Sequence, residues 1–284
     1  GLSLTFNTTE DCNLRCKYCY ETDKKPKVLS IYKARKFIDL FLSTLDPMEL
    51  EGTKNEWLLN SGLVLDFIGG DALMNPQLIR EIMYYFIWNA TLKNHHWANR
   101  WRINICTNGT LFEREGVKEF LEEFKEAVSL AVSIDGCPAI HDSYRVFPDG
   151  TGSSSTILEN WEWYLDYCRR SRQLPSIKAT LSKASIPYLY DSLKYLHEVL
   201  KLQNINMNFI MEETEVAKED LNILDSELSK CYEYMLQHGE HLYWSMFDKH
   251  NIGEPFTEDN KQITKCGSGM MPTLGVDGNI YPCF

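Results

Sequence analysis

The sequence predicts an α/β protein whose core is a partial (β/α)6 barrel, and three observations carry that expectation. Six short apolar runs alternate with amphipathic stretches along the first 240 residues. Successive runs stand roughly 25–65 residues apart, room for a helical crossover each time, so the strands they form lie parallel. Residues beyond 240 change character and add no further unit of this kind. Eight units would close a barrel; six leave it open. The chain has no low-complexity segment and no repeat beyond this rhythm.

Leu2 to Asn7 alternates apolar and polar side chains, the period of a strand, and feeds straight into a cysteine-rich loop. Ser30 caps a helix over roughly 31–45, with Ala34, Phe37, Ile38, Phe41 and Leu42 on one face. Residues 46–62 are polar and irregular and read as a loop. Leu63 to Ile68 is the second strand, and Asn75 with Pro76 starts a helix that runs to Leu92. Trp101 to Cys106 is the third strand, followed by a short helix over 113–125. Val128 to Ile134 is the fourth; after a turn at Asp149–Gly152, Ser153 to Ser155 cap a helix reaching Arg170. A strand at Ile177–Leu181, a helix from Pro187 to Leu200, a strand at Ile205–Met211 and a helix over 219–240 complete the series.

Of 284 residues, 44% are apolar and 24% charged, ordinary for a folded globular chain. The formal charge of −11 leaves no basic surplus for broad binding of nucleic acid. No apolar stretch approaches the ~20 residues of a membrane span, and no secretory signal opens the chain. Nine cysteines, an odd number with three in one short loop, point to a reducing compartment, by default cytoplasmic. The chain starts at Gly1 directly before a strand and stops just after Pro282-Cys283, so a fragment of a longer protein is expected.

Cys12, Cys16 and Cys19 are spaced C-x3-C-x2-C. A [4Fe–4S] cluster normally takes four thiolates, so three on one loop leave an iron open to a small molecule. Zinc is the rival, but its structural sites close all four positions with paired Cys or His, and the next cysteine here is Cys106. Three unrelated buried thiols are the bland alternative. The loop resembles the signature of the radical S-adenosylmethionine (radical SAM) superfamily, which also has an aromatic residue before the last cysteine, here Tyr18. The resemblance implies a barrel of radical SAM type with Cys12, Cys16 and Cys19 on a [4Fe–4S] cluster and Tyr18 among the SAM-binding residues. It also implies that the open iron chelates SAM, whose reductive cleavage yields a 5′-deoxyadenosyl radical that abstracts a substrate hydrogen.

The cysteine loop, Gly69–Asp71, Thr107–Gly109 and Ser133–Asp135 all fall at C-terminal ends of predicted strands, which share one rim in a parallel βα fold. Gly69-Gly70-Asp71 resembles the family's Gly-Gly-Glu motif, which holds the SAM amino group. Asp71 is one methylene shorter, which preserves the backbone contacts and leaves the side chain's role open; an ordinary Gly-Gly turn is the alternative. Asn108 and Ser133 are short polar groups suited to a ribose or a carboxylate, with Asn108 equally a turn residue. Ser133-Ile134-Asp135-Gly136, with His141-Asp142 and Arg145, resembles a block of peptide- and sulfatase-modifying members. It makes Ser133 a SAM contact and Asp135 structural; Arg145 and Lys178 both remain candidates for the SAM carboxylate. Cys106, Cys137, Cys168 and Cys231 read as small buried hydrophobes, with Cys137 near the rim.

Cys266, Gly278 and Cys283 follow a C-x11-G-x4-C pattern, and Thr273–Cys283 reads as a hairpin turning at Asp277-Gly278. This resembles the opening of the SPASM extension, which implies Cys266 and Cys283 at an auxiliary [4Fe–4S] cluster incomplete in this chain; two inert thiols are the alternative. Residues 1–240 are expected to form the core, and 241–284 a linker and the start of that extension. The expected activity is modification of a peptide or protein substrate, by crosslinking or oxidation of a ribosomally made peptide. Its electron donor would be of flavodoxin or ferredoxin type. Sulfatase maturation, a non-catalytic electron-transfer protein and a zinc module are the alternatives.

Overall fold

The computed structural model describes residues 2–44, 52, 61–209, 217–239, 242–248 and 271–283. Most of the predicted 46–62 loop, the end of the sixth predicted strand at Met211, and Cys266 lie outside them. Strands β1 (Leu2–Asn7), β2 (Leu63–Ile68), β3 (Trp101–Thr107), β4 (Val128–Ser133), β5 (Ser176–Leu181) and β6 (Asn204–Phe209) stand in sequence order. Every neighbouring pair among them is parallel. The open α/β barrel expected from the apolar runs is the architecture found.

Alternation decides what each face of the sheet does. Leu4 and Phe6, Leu65 and Phe67, Ile103 and Ile105, Leu130 and Val132 are buried in one core with the helices. Helix α1 (Ile31–Thr44) contributes Phe37 and Ile38 to it, and α2 (Pro76–Leu92) contributes Ile79, Ile82 and Phe86. The intervening strand positions, such as Asp66, Asn104, Ser133, Lys178 and Asn206, are polar and occupy the opposite face.

Four departures from the sequence reading have local causes. Helix α3 (Val117–Glu123) starts later than expected because Gly116, at φ +80°, turns the chain immediately before it. Helix α4 (Pro138–Tyr144) was not expected; it is one short run with Pro138 at its first turn. The helix expected to reach Arg170 is two, α5 (Ser154–Glu159) and α6 (Trp161–Arg170), broken at Asn160. The one expected over 187–200 keeps regular α geometry only in α7 (Leu189–Lys194), between a 3-10 stretch holding Pro187 and a π turn. Proline has no N–H to donate to an α-helical ladder.

After α8 (Lys218–His238), β7 (Tyr243–Trp244) pairs parallel with β6. At the other edge β8 (Thr273–Leu274) pairs parallel with β1, then turns into antiparallel β9 (Ile280–Tyr281). The loop differs from the two-residue Asp-Gly turn expected. Gly278 N bonds Gly275 O at 2.8 Å and Gly275 N bonds Asn279 O at 2.9 Å. Val276-Asp277 therefore form the turn, and Gly278, at φ +87°, follows it in the left-handed region. Among the described residues no helix is long and apolar enough to cross a membrane.

The register between β4 and β5 runs only from Ala131–Ser176 to Ser133–Lys178. At its lower end the buried Tyr164 hydroxyl accepts from Ser176 N at 3.0 Å and donates to Ser176 O or Leu130 O, at 2.9 and 3.1 Å. Tyr164→Phe leaves these groups short of a partner and should cost about 1–3 kcal/mol. Chemical denaturation measures it, and an unchanged midpoint would mean that the strand pair does not need the hydroxyl.

Candidate active site at the strand tips

The cysteine loop is held at both ends before any ligand is considered. Beyond β1, Thr8 donates to Ile68 O through its amide and hydroxyl, at 2.9 and 3.0 Å. The returning limb closes on the same place, with Leu29 N bonded to Thr8 O at 2.9 Å and Thr9 Oγ1 to Lys27 O at 2.8 Å. The loop's middle docks on the end of α4, where Arg15 N meets Val146 O and Lys17 N meets Tyr144 O, at 2.7 and 2.9 Å.

Gly69 and Gly70 pack directly beneath this loop. A Cβ on Gly69 would stand 2.4 Å from Thr9 O, and one on Gly70 2.1 Å from Asp11 O. Their lack of side chains is therefore needed first for the turn after β2 to meet the cysteine loop. Asp71 is buried and accepts from Leu73 N, Thr107 Oγ1 and Asn108 N, at 3.0, 2.9 and 2.7 Å. Burial raises its pKa while these donors oppose the shift. Asn108 is similarly occupied: its amide nitrogen donates to Asn13 Oδ1 at 2.8 Å and to Cys12 Sγ at 3.6 Å, and its oxygen accepts from Thr110. Asp71 and Asn108 both line the cavity described next, yet their hydrogen bonds tie the tips of β2 and β3 to the cysteine loop.

That cavity has a volume of about 350 Å³, within the usual range for small-molecule sites. Cys12, Cys16 and Cys19 line it together with Tyr18, Gly69, Gly70 and Ser133, so every expected site residue outside the tail reaches one place. Cys283 lies half-buried just after β9. Residues that sequence reasoning missed also line the cavity: Tyr20, Lys24, Cys106, Thr180 and Asn208. Thr180 and Asn208 stand near the C-terminal ends of β5 and β6, the rule that selected the others, and could have been found by it. Cys106, read as a lone hydrophobe, faces the cavity because it alternates with buried Ile105, and its sulfur lies 3.6 Å from Ser133 Oγ. Of the two candidates for an anionic partner, Arg145 lines the cavity; Lys178 stands lower on β5.

Behind Tyr18 lies a buried polar network. Asp135 Oδ2 accepts from Tyr18 Oη at 2.5 Å and from Arg145 Nε at 2.9 Å, and Oδ1 accepts from Thr180 N at 2.9 Å. The guanidinium also lies over the Tyr18 ring, 5.3 Å from its centre. His141 Nδ1 accepts from Asp135 N at 3.3 Å, and its Nε2 meets Ser153 Oγ at 2.9 Å. Because Ser153 Oγ donates onward to Arg145 O at 2.9 Å, His141 is neutral with its proton on Nε2.

The thiols behave as burial dictates: Cys12 is pushed up to about 11 by desolvation and the nearby Asp71, and Cys16 is also raised by burial. A metal must therefore displace protons to bind them. Among the described residues, no three His, Cys, Asp or Glu side chains converge closely enough to hold a single metal ion. Cys12, Cys16 and Cys19 nonetheless line one cavity, a thiol set of the kind that holds an iron–sulfur cluster.

Residues 6–174 match the family described as the Radical SAM superfamily, and the chain belongs to it. Members of this superfamily use a [4Fe–4S] cluster with SAM. An uncharacterized protein of Methanocaldococcus jannaschii is 29% identical over 194 residues, 68% of this chain and 57% of that protein. The antilisterial bacteriocin subtilosin biosynthesis protein AlbA of Bacillus subtilis is 27% identical over 145 residues, 51% of this chain and 27% of AlbA. This chain thus spans little more than half of one relative and about a quarter of the other. Anaerobic sulfatase-maturating enzymes are also among its relatives. The solved structure of native anSMEcpe with bound AdoMet shares the fold, with a TM-score of 0.70 at 17% identity over 100% of this chain and 75% of that one.

His141 makes the network sensitive to acid. Desolvation, then the Arg145 charge, lowers its pKa from 6.5 to about 4. The unfolded chain takes up a proton below about pH 6.5 that the folded chain refuses until about pH 4, so this contribution to stability falls as the pH drops through that window. Thermal melts from pH 7.5 to 5 should show a smaller loss for His141→Gln than for the wild type. Equal losses would contradict the buried neutral ring.

Proposed function

We propose that this protein is a radical SAM enzyme that modifies a peptide or protein, maturing a ribosomally made peptide by crosslinking or oxidation. The observation that carries this reading is the convergence of three thiols, the Gly69–Asp71 turn and the tips of β3 to β6 on one cavity. Cys12, Cys16 and Cys19 would hold a [4Fe–4S] cluster with one iron left to SAM. Gly69, Gly70, Asp71, Asn108 and Ser133 border the space for SAM, with Tyr18 on its cysteine-loop side and Arg145 supplying positive charge. Once bound, the reduced cluster and SAM together supply a 5′-deoxyadenosyl radical able to take hydrogen from a substrate carbon.

The chain's own residues fix the geometry and receive the substrate. Asp135 locks Tyr18 and Arg145 in place, so the cavity wall is organised before SAM arrives. On the same face of the sheet as Ser133, Asp66 accepts from Asn104 at 2.6 Å, and burial raises its pKa while that hydrogen bond and the Lys178 charge oppose the shift. On the cavity wall itself, Thr180 and Asn208 carry side chains able to donate to and accept from peptide groups. The relationship to a bacteriocin biosynthesis protein supports a peptide as the substrate. Cys266 and Cys283 would belong to an auxiliary cluster within a SPASM-like extension over 241–284, and a flavodoxin- or ferredoxin-type protein would deliver the electron. The sulfatase-maturating relatives favour a second reading, oxidation of a sulfatase Cys or Ser to formylglycine.

Anaerobic reconstitution with iron and sulfide, followed by reductant and SAM, tests the proposal through release of 5′-deoxyadenosine. Steady release that falls to background in Cys16→Ala is expected. A protein that assembles its cluster and never cleaves SAM would instead be a non-catalytic iron–sulfur protein. Peptide and sulfatase-derived substrates, compared in the same assay, separate the two readings.

A further inference from the structure

Three lysines sit on the limb that returns from the cysteine loop, and two have carboxylate partners. Lys25 pairs with Asp23, and Lys27 with Glu10 at 3.3 Å. Lys24 differs: among the described residues no carboxylate lies within ion-pair distance of its ammonium, which instead stands 3.1 Å from Cys19 Sγ. It lines the same cavity as the three thiols. The other cation lining this cavity, Arg145, is paired with Asp135.

A hydrogen bond to a ligand sulfur and a nearby positive charge both stabilise the more negative, reduced state of an iron–sulfur centre, and so raise its potential. We infer that Lys24 sets the reduction potential of the centre held by Cys12, Cys16 and Cys19, by donating from a charged ammonium to the Cys19 sulfur. This rests on the reading of those cysteines as cluster ligands. The step it governs is the addition of one electron from a low-potential reductant, with no bond made or broken in the protein. Lys24 is a positioning residue: it touches a ligand rather than the reacting atoms.

The test compares wild type, Lys24→Met, Lys24→Gln and Lys24→Arg as full chains reconstituted anaerobically. All carry Cys266→Ala and Cys283→Ala, so that only this loop reports. Iron and sulfide content are measured first. Each is then titrated with dithionite, the reduced signal being followed by electron paramagnetic resonance. Lys24→Met and Lys24→Gln should load iron like the wild type yet show a more negative midpoint, while Lys24→Arg restores it. Equal midpoints in all four overturn the inference, as does a change in SAM affinity alone with the midpoint unmoved. A wild-type chain that assembles no cluster overturns both this inference and the reading beneath it.

Discussion

Asp135 receives Tyr18 and Arg145 on one oxygen and the Thr180 amide on the other, and through them joins four separated stretches of chain. Tyr18 belongs to the cysteine loop, Arg145 to the end of α4, Thr180 to β5, and Asp135 itself to the turn after β4. Both charged partners are almost fully buried. A buried ion pair is not by itself a source of stability, because desolvating both charges offsets most of their attraction. Removing either partner would leave the other charge buried and unpaired, so the pair ties the loop to the rim. The order of the cavity follows from that.

On the far side of the loop the constraint is steric. The backbone after β2 passes so close to Thr9 and Asp11 that no side chain fits at Gly69 or Gly70. Asp71 then caps the short turn Ala72–Met74 and holds the β3 tip through Thr107 and Asn108. With Asp at this position, the group that could face a ligand is occupied in joining two strand tips. Gly69 and Gly70 meanwhile leave backbone on the cavity wall.

The parallel barrel was legible because each strand carries the period-two signal on its own residues, as in Leu2–Asn7 and Leu63–Ile68, whose bounds agree with the structure. The rim was legible through the same logic, since chemistry-bearing residues clustered after those runs. Alternation with Ile103 and Ile105 already places Cys106 on the face it shares with Asn104, and only the apolar character of a lone cysteine masked it. What stayed hidden depends on contacts between distant segments. Lys24 carried no sequence signal among neighbouring lysines; only the return of the loop brings it to Cys19. Asp71 and Asn108 were visible as rim residues, but their saturation by neighbouring amides is a tertiary property. Helix α4 escaped notice because seven residues are too few for an amphipathic period to declare itself.

The proposed function turns on one chemical requirement, a cluster on Cys12, Cys16 and Cys19 that would leave one iron to SAM. The most direct measurement is pulsed electron paramagnetic resonance of the reduced protein with SAM labelled at its amino nitrogen with nitrogen-15. Hyperfine coupling between that nitrogen and the cluster is predicted, and it should vanish when Cys12, Cys16 or Cys19 is replaced by Ala. A reduced cluster whose spectrum shows no coupling to the label would contradict the account.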